Sequence, residues 1–524
     1  MYQIQQEKYN RKAWQYQQLA LPIAQNIEIA EDEPVFVANA QLEELDYREL
    51  YKAYSPIGRK SAAEPRIMFK LLVYGYMCGI YSTRKLEEAC RKNIDFIWLL
   101  QGERVPDHCS IARFRSGKAR DAIEGLFYQY VRRLAKEEEI QYEEVFIDGT
   151  KIESMANRYT FVWRKSVEKQ LSKVKEKAKE LFRQYGGNGN LTAGKLRRLA
   201  QSLVPEGGEM VRGTGRRKPS WQRQYEELEQ LLERWDRYEA QLFEMGCRRN
   251  SLSKTDKDAT FMRMKEDHMG NGQLKPAYNV QLAVNSEYIT GVAAFSHCTD
   301  SGTLIPFLEH IQRMQGRSYR DIVADAGYES VGNYLYLDRK DQGCYIKPAN
   351  YEVRKTKKYS QQIWRLENMQ YLEREDCFLC AAGRKLTLRR SCSRKEKGMV
   401  TTMDYYRCEG CGGCPLREQC TTSRDPAFCK EVKVCREFAQ FRDQALRQLV
   451  TPRGTLLRMN RSIQVEGAFG VLKSNRRFKR FLMRGKTNIL LELFLLCLAF
   501  DLKKYWAKLQ QGRLKSHLFP LKKE

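Results

Sequence analysis

The sequence lacks any long, uninterrupted run of apolar residues. Its longest run, Ile489 to Phe500, is broken by Glu492 and is shorter than the roughly 20 residues that a bilayer-spanning helix needs. The N-terminal residues MYQIQQEKYN contain no apolar core of the kind found in a secretion signal. Internal repeats are absent as well. We therefore expect a cytoplasmic protein with no membrane-spanning segment.

Acidic residues are scarce relative to basic ones. The chain has 65 Asp and Glu against 92 Lys and Arg, which gives a formal net charge of +27. Such an excess destabilises a compact protein by self-repulsion, so it indicates a polyanionic partner. Nucleic acid is the natural one, because Lys and Arg displace the counterions that are condensed on its phosphates. An anionic membrane surface is the alternative, and the short apolar run argues against it.

Disulfides are not expected, because intracellular proteins rarely contain them. The 16 cysteines are therefore predicted to be core residues or metal ligands. Cys78, Cys90 and Cys497 stand alone in apolar helical patterns and are predicted to pack in the core.

Seven cysteines fall between Cys377 and Cys420, around two Cys-x2-Cys knuckles that flank a basic hairpin. This is the pattern of a tetrahedral structural zinc site. Six cysteines compete for its four positions: Cys377, Cys380, Cys408, Cys411, Cys414 and Cys420. The preferred set is the first four of these six, the second is the last four, and unliganded thiols are the alternative. Cys392 and Cys429 are expected to take no part.

The 524 residues exceed one ordinary domain. Periodicity and composition divide them into an N-terminal arm (1–45), a helical domain (46–135), an α/β core in two parts (140–163 and 251–349), a charged helical hairpin (164–250), a Cys-rich insertion (350–435) and a C-terminal helical part of the core (436–524). Two apolar seams predict that the hairpin helices pair: Leu171, Val174, Ala178 and Leu181 in one, and Tyr225, Leu228, Leu232 and Trp235 in the other.

A basic helix ends the helical domain. Ser110 could cap it, following the break at Pro106-Asp107. Its cations are predicted to contact DNA, and a solvated basic face is the alternative. They are Arg113, Arg115 and Lys118.

Two carboxylates follow apolar strands of the core. Asp148 and Asp325 are each predicted to end a strand, with a Gly turn after it that lets a ligand approach. Neighbouring carboxylates repel each other unless cations lie between them, and hard divalent ions prefer oxygen ligands. A helix cap or a turn is the alternative role for either Asp alone. Asp256 and Asp258 are weaker candidates for the same site.

A third carboxylate is expected on a helix that crosses the sheet, and Glu466 is our choice. Its apolar neighbours Val465 and Phe469 predict that Glu466 faces the core, where a Glu needs a partner or a metal. The cations that follow are predicted to contact phosphates, with a solvated helix face as the alternative. They are Lys473, Arg476, Arg477, Lys479 and Arg480. His268 and His297 are expected to be surface or core histidines.

Three strings of the chain, FIDGTKIES, VADAGYES and RSIQVEGAFGVLKSNRRFKRF, resemble the catalytic blocks of the DDE transposases of bacterial insertion sequences. Residues 51–117 are similar to the N-terminal helical domain of that family. The resemblance implies that Asp148, Asp325 and Glu466 are the catalytic, metal-binding triad. It also implies an Arg before the Glu and a Lys seven positions after it, which Arg461 and Lys473 supply. Arg461 lies five positions before Glu466, one more than the family pattern leads one to expect.

The same resemblance implies a fold and a reaction. The fold is α/β: an RNase H-like mixed sheet with flanking helices, interrupted by the helical hairpin and the Cys-rich insertion, with an N-terminal all-α domain. The cofactor is Mg²⁺ or Mn²⁺. The partners are double-stranded DNA, as terminal inverted repeats and as target, and a second copy of the chain in a homodimer on DNA. The expected location is the bacterial cytoplasm, at the nucleoid.

The reaction implied is in-line attack on a phosphodiester, in which water first releases a 3′-hydroxyl that then attacks target DNA. Three alternatives stay open. A nuclease with the same core would only hydrolyse DNA, and an inactivated or domesticated relative would only bind it. A zinc-ribbon regulator would leave the strand-end carboxylates without a role.

Overall fold

The computed structural model describes residues 29–54, 61–213, 217–247, 249–264, 272–396, 399–425 and 427–521. Most of the predicted N-terminal arm and His268 lie outside these residues. The described chain divides into two compact units. The first contains the described residues of 1–130 together with Leu498–Leu514, and the second contains those of 131–497 and 515–524.

The first unit is helical, as the sequence predicts. Its helices are α1 (Pro34–Glu43), α2 (Arg48–Lys52), α3 (Pro65–Met77), α4 (Thr83–Lys92), α5 (Ile94–Leu100) and α6 (His108–Arg113), followed by α7 (Ile123–Lys136), whose last residues lie in the second unit. Helix α3 is buried along its whole length from Ile67 to Met77. Cys90 is buried, but Cys78 is exposed, which corrects its predicted core position.

Helix α6 begins differently from the prediction. Asp107 is its N-cap and accepts the backbone N–H of Ser110 at 2.9 Å, so Ser110 lies inside the helix. The reason is that a carboxylate one residue before the helix reaches the unpaired N–H groups of the first turn. The helix continues into a π-helical turn, Phe114–Lys118.

A six-stranded mixed sheet forms the centre of the second unit. The first eight strands of the chain are β1 (Glu144–Glu153), β2 (Phe161–Trp163), β3 (Ser251–Ser253), β4 (Thr260–Arg263), β5 (Leu274–Asn285), β6 (Tyr288–Phe295), β7 (Asp321–Ala324) and β8 (Gly343–Ile346). Strand β5 pairs antiparallel with β1, β4 and β6. On the other side of β1, β7 runs parallel to it and β8 runs parallel to β7. The predicted strands are therefore present, and the mixed α/β class is confirmed.

The helical hairpin is connected to the sheet region by β2 and β3, which pair with each other. It contains α8 (Arg164–Gln184), α9 (Ala193–Ser202) and α10 (Ser220–Met245). The two predicted seams meet in one apolar cluster, in which only Tyr225 of the eight predicted residues is less than fully buried. Amphipathic spacing was therefore enough to predict how these helices pack.

Two helices cover one face of the sheet, α11 (Leu304–Gln315) and α12 (Val331–Arg339). The Cys-rich region after them contains a five-stranded antiparallel sheet of β9 (Gln370–Leu372), β10 (Cys377–Leu379), β11 (Lys385–Glu396), β12 (Met399–Cys408) and β13 (Glu431–Val434). Its helices are the short α13 (Lys357–Ser360) and α14 (Arg417–Cys420).

The C-terminal helices are α15 (Arg436–Leu449), α16 (Pro452–Arg461), α17 (Gly467–Gly470) and α18 (Lys486–Gln510). Helix α16 continues into α17 through a π-helical turn, Ser462–Glu466, and a second such turn, Val471–Asn475, follows α17. From Leu498 onward, α18 belongs to the first unit. Among the described helices, none has the length and apolar character needed to cross a membrane.

Candidate active site

Asp148 lies in the middle of β1, which corrects its predicted place at a strand end. The strand continues to Glu153 because residues 146–153 all pair with β5. The parallel ladder between β1 and β7, by contrast, ends at the pair Ile147 and Ala324. Asp148 directly follows Ile147 and Asp325 directly follows Ala324. The two predicted catalytic carboxylates therefore come immediately after the last residue pair of the parallel ladder.

Gly149 forms no turn, and its role is to leave space. A Cβ built there would lie 2.4 Å from Nε2 of Gln281 and 2.7 Å from Oδ1 of Asp300. The backbone N–H of Gly149 donates to Oδ1 of Asp148 at 2.8 Å. On the neighbouring strand, Asp325 caps a short 3-10 turn and accepts the N–H of Gly327 at 2.8 Å.

Asp300 is a residue of this site that the sequence reasoning missed. Its Oδ1 accepts the amide of Asn279 at 2.7 Å and that of Gln281 at 2.9 Å. Its Oδ2 would lie 3.2 Å from a Cβ on Gly327, so the carboxylate stands between Gly149 and Gly327. The loop Asp300-Ser301-Gly302 resembles an ordinary turn before a helix, and only the strand register brings it to the two glycines.

The pKa of Tyr328 is affected by the negative charges of the same candidate site. Its ring is fully buried, and its hydroxyl donates to Oε1 of Gln281. Burial raises the pKa of Tyr328 well above its ordinary value, and the negative charges of Asp300, Asp148 and Asp325 raise it further. The charges of these three carboxylates thus all act on the phenol of Tyr328.

Glu466 does not face the core, which corrects the sequence prediction. Its side chain is 52% exposed, while Val465 and Leu472 are buried. The π-helical turn that ends at Glu466 changes the angular spacing of side chains, so the face predicted for a regular α-helix does not apply. Ser462 donates to Oε2 of Glu466 at 3.0 Å.

Arg461 joins two of the predicted catalytic carboxylates. Its Nη2 donates to Oε1 of Glu466 at 2.9 Å, and its Nη1 lies 3.5 Å from Oδ2 of Asp148. The guanidinium is mostly buried, with 18% of the side chain exposed. A single positive group is thus held between a carboxylate of the sheet and one of the helix.

The predicted phosphate contacts after Glu466 differ in exposure. Arg477, Lys479 and Arg480 are exposed. Three of the five predicted cations donate to backbone carbonyl oxygens: Lys473 to that of Lys151, Arg476 to that of Leu496, and Arg480 to those of Ser154 and Ala156.

The predicted contacts of the first unit also differ from one another. Arg113 is exposed. Arg115 donates to the carbonyl oxygen of Tyr81 at 2.9 Å, and Lys118 donates to that of Ala53. Arg113 also donates, from Nε to the carbonyl oxygen of Cys109 at 3.3 Å, and Lys118 is exposed as Arg113 is.

The weaker candidates have structural partners. Asp256 is buried and accepts hydroxyl groups of Ser154 at 2.6 Å and Tyr278 at 2.9 Å. Asp258 accepts the backbone N–H of Lys486 at 2.9 Å. His297 stacks against Phe295 with ring centroids 6.4 Å apart.

Five of the six predicted zinc ligands line one small cavity in the Cys-rich region. They are Cys380, Cys408, Cys411, Cys414 and Cys420. Cys377 is buried in β10 and is not part of the lining. Burial raises the pKa of Cys408, and its neighbours Cys411 and Cys380 raise it further.

Backbone N–H groups contact two cysteine thiols of this region. The backbone N–H of Lys430 donates to Sγ of Cys411 at 3.4 Å. Backbone N–H groups of Cys411 and Gly410 lower the pKa of Cys429, a cysteine for which the sequence predicted no role.

Among the residues that the structure describes, no group of three or more His, Cys, Asp or Glu side chains forms a ready-made metal site. The chemistry of both donor sets nevertheless fits the expected ions. Carboxylate oxygens meet around the positive charge of Arg461, and oxygen ligands suit Mg²⁺. Thiols that share one cavity suit zinc.

Two family models match the chain. A model described as a transposase DDE domain matches residues 379–506, which include the cysteine cavity and Glu466. A model described as a transposase domain (DUF772) matches residues 25–117 in the helical unit. Searches of the curated proteins and of the solved structures found no match.

Proposed function

We propose that this chain, which its two family matches identify as a DDE transposase of the insertion-sequence type, cuts DNA at the ends of an insertion sequence and joins those ends to target DNA. One observation carries the proposal: Ile147 and Ala324 are the last pair of the parallel ladder between β1 and β7, and Asp148 and Asp325 are the residues that come directly after them. Arg461 then connects Asp148 to Glu466 on the helix. These relationships support the assignment of all three carboxylates to one site.

We further propose that the second unit is built on an RNase H-like core. Two features support this: β6, β5 and β1 form an antiparallel series, and β7 and β8 extend it in parallel with β1. The helical hairpin enters after β1, and the Cys-rich region enters between β8 and the helix of Glu466. Both then count as insertions into that core.

Asp148, Asp325 and Glu466 are the residues that would hold Mg²⁺ or Mn²⁺ in this proposal. When bound, such an ion activates the attacking hydroxyl or water and stabilises the leaving oxygen of a phosphodiester. Arg461 keeps Glu466 oriented towards Asp148 in the absence of DNA. Exposed Arg477 and Lys479 supply phosphate contacts, and Arg113 of the helical unit supplies another.

A structural zinc ion is the second cofactor that we propose. Its ligands would be four of the five cysteines that line the cavity, with Cys377 outside the set. One such ion would hold β10, β12 and α14 together. It would thereby stabilise a region whose apolar cluster is small. A homodimer on DNA follows from the need to bring two element ends together.

The test is cleavage of a labelled duplex that carries the DNA flanking this gene, in Mg²⁺ and in Mn²⁺. Cuts at the element boundary are expected from the unaltered chain and from the control Glu233→Gln, an exposed residue of the hairpin. They should disappear in Glu466→Gln. Cutting without joining of the released 3′ ends to target DNA would favour the hydrolytic nuclease. Binding without cutting would favour the inactivated relative.

A further inference from the structure

A cavity of about 300 Å³ opens beside Glu466, between the ends of β7 and β8 and the helix α16. Its wall includes Ala324, Tyr345, Lys347, Arg458, Arg461 and Glu466. Three of these side chains carry a positive charge and one carries a negative charge. The cavity therefore has an excess of positive charge directly next to a proposed catalytic carboxylate.

Lys347 and Arg458 carry the positive charge that is available to a ligand in the cavity. Arg461 is already committed to Glu466 and Asp148. Lys347 pairs with Glu352 at 2.9 Å, but more than a third of either side chain is exposed, and such a surface pair is weak. It can be exchanged for a stronger anion at small cost.

Arg458 offers a donor that nothing in the described protein uses. Its Nη1 donates to the hydroxyl of Tyr351 at 2.9 Å, whereas its Nε is buried and meets no acceptor. A buried N–H without an acceptor is costly, so a shift of this guanidinium towards an anion in the cavity would be favourable. The ring of Tyr351 lies against both cations, 5.2 Å from the guanidinium of Arg458 and 5.6 Å from Nζ of Lys347, and so limits their movement.

We propose that Lys347 and Arg458 bind a backbone phosphate of the DNA strand that is cut, next to the phosphodiester at Asp148 and Glu466. This inference rests on the proposed function and names a substrate subsite for it. A strand whose reacting phosphate lies at Glu466 passes the mouth of the cavity, since Glu466 is part of its wall. Bound there, the neighbouring phosphate fixes the position of the reacting one.

The experiment measures affinity of the full chain for the labelled element end over a range of salt concentrations, without a divalent ion that supports cutting. Lys347→Ala and Arg458→Gln should each weaken binding about tenfold and reduce the slope of log affinity against log salt by about 1. Arg458→Lys keeps the charge and should keep most of the slope. Lys355→Ala is the matched control, because Lys355 shares the ring of Tyr351 and the carboxylate of Glu352 but does not line the cavity.

The outcomes separate the subsite from the function. An unaltered chain that neither binds nor cuts the element end would overturn both. A chain that cuts normally, with the salt slope unchanged in Lys347→Ala, would overturn the subsite alone. If Arg458→Gln fails to fold, as seen in its thermal unfolding, Lys347→Ala decides, since the Lys347 side chain is 36% exposed and is absent from the buried core.

Discussion

Arg461 donates to Glu466 at 2.9 Å across five residues of helix. In a regular α-helix, side chains three or four residues apart share a face, and a pair five apart does not. The π-helical turn Ser462–Glu466 adds a residue to the turn and aligns the two side chains. This explains why the Arg stands one position earlier than the family pattern leads one to expect.

Removing Arg461 should make the site bind divalent cations more tightly while making it a poorer catalyst. In Arg461→Ala, Asp148 and Glu466 lose the positive charge between them, so a cation meets less repulsion. We expect Mn²⁺ affinity to rise about three- to tenfold, roughly 1 kcal/mol, in calorimetry. DNA cleavage should fall, because Glu466 is no longer held towards Asp148.

Arg461→Lys serves as the control for charge and should keep Mn²⁺ affinity close to that of the unaltered chain. A drop in Mn²⁺ affinity on Arg461→Ala would contradict the competition between the guanidinium and the metal ion.

Gly149→Ala should destabilise the second unit. The added Cβ would meet the amide of Gln281 and the carboxylate of Asp300, both fixed by hydrogen bonds, so the network must shift. We expect a loss of about 1–3 kcal/mol, as for overpacking of a tight site, seen as a lower unfolding temperature. Gly125→Ala in α7 is the control, because a Cβ there meets nothing within 4 Å and Ala favours a helix. Equal unfolding temperatures for the two variants would refute the role of Gly149 as a space-making residue.

Local patterns predicted the elements of the fold well. The apolar runs Val145-Phe146-Ile147 and Ile322-Val323-Ala324 predicted buried strands, and the two form neighbouring strands of the sheet. The seams of the helical hairpin depend on spacing within each helix, so they too were visible in the sequence. Asp148 and Asp325 were selected because each directly follows one of these apolar runs.

The remaining features depend on contacts between distant residues. Asp300 reaches the site only through the register of β1, β5 and β7. The exposure of Glu466 follows from a π-helical turn, which no apolar pattern marks. Likewise, the position of Cys377 away from the cysteine cavity is decided by how β10 pairs, not by its Cys-x2-Cys spacing.

Glu144 should make stability depend on pH. Burial raises the pKa of its carboxyl to about 6 from 4.5, although Arg453 acts in the opposite direction. A raised folded-state pKa contributes stability that is fully present below pH 4.5 and is lost as the pH rises through 6. The loss amounts to about 2 kcal/mol at neutral pH.

Glu144→Gln isolates this effect, because the amide stays uncharged over the whole range. We expect the free energy of unfolding of the variant, relative to the unaltered chain, to increase between pH 4.5 and pH 7. A constant difference between the two proteins over that range would show that Glu144 does not titrate as proposed.

Zinc analysis of single cysteine variants can identify the ligands of the proposed structural ion. The unaltered chain is expected to contain one zinc per chain, and Cys408→Ser should lose it together with several degrees of thermal stability. Cys408 is the informative position because it lies in both sets that the sequence left open and lines the cavity. Cys392→Ser, at an exposed cysteine, is the control and should keep the ion. Cys377→Ser discriminates between the sets: retained zinc supports the five cysteines of the cavity, and lost zinc would return Cys377 to the ligands despite its place in β10.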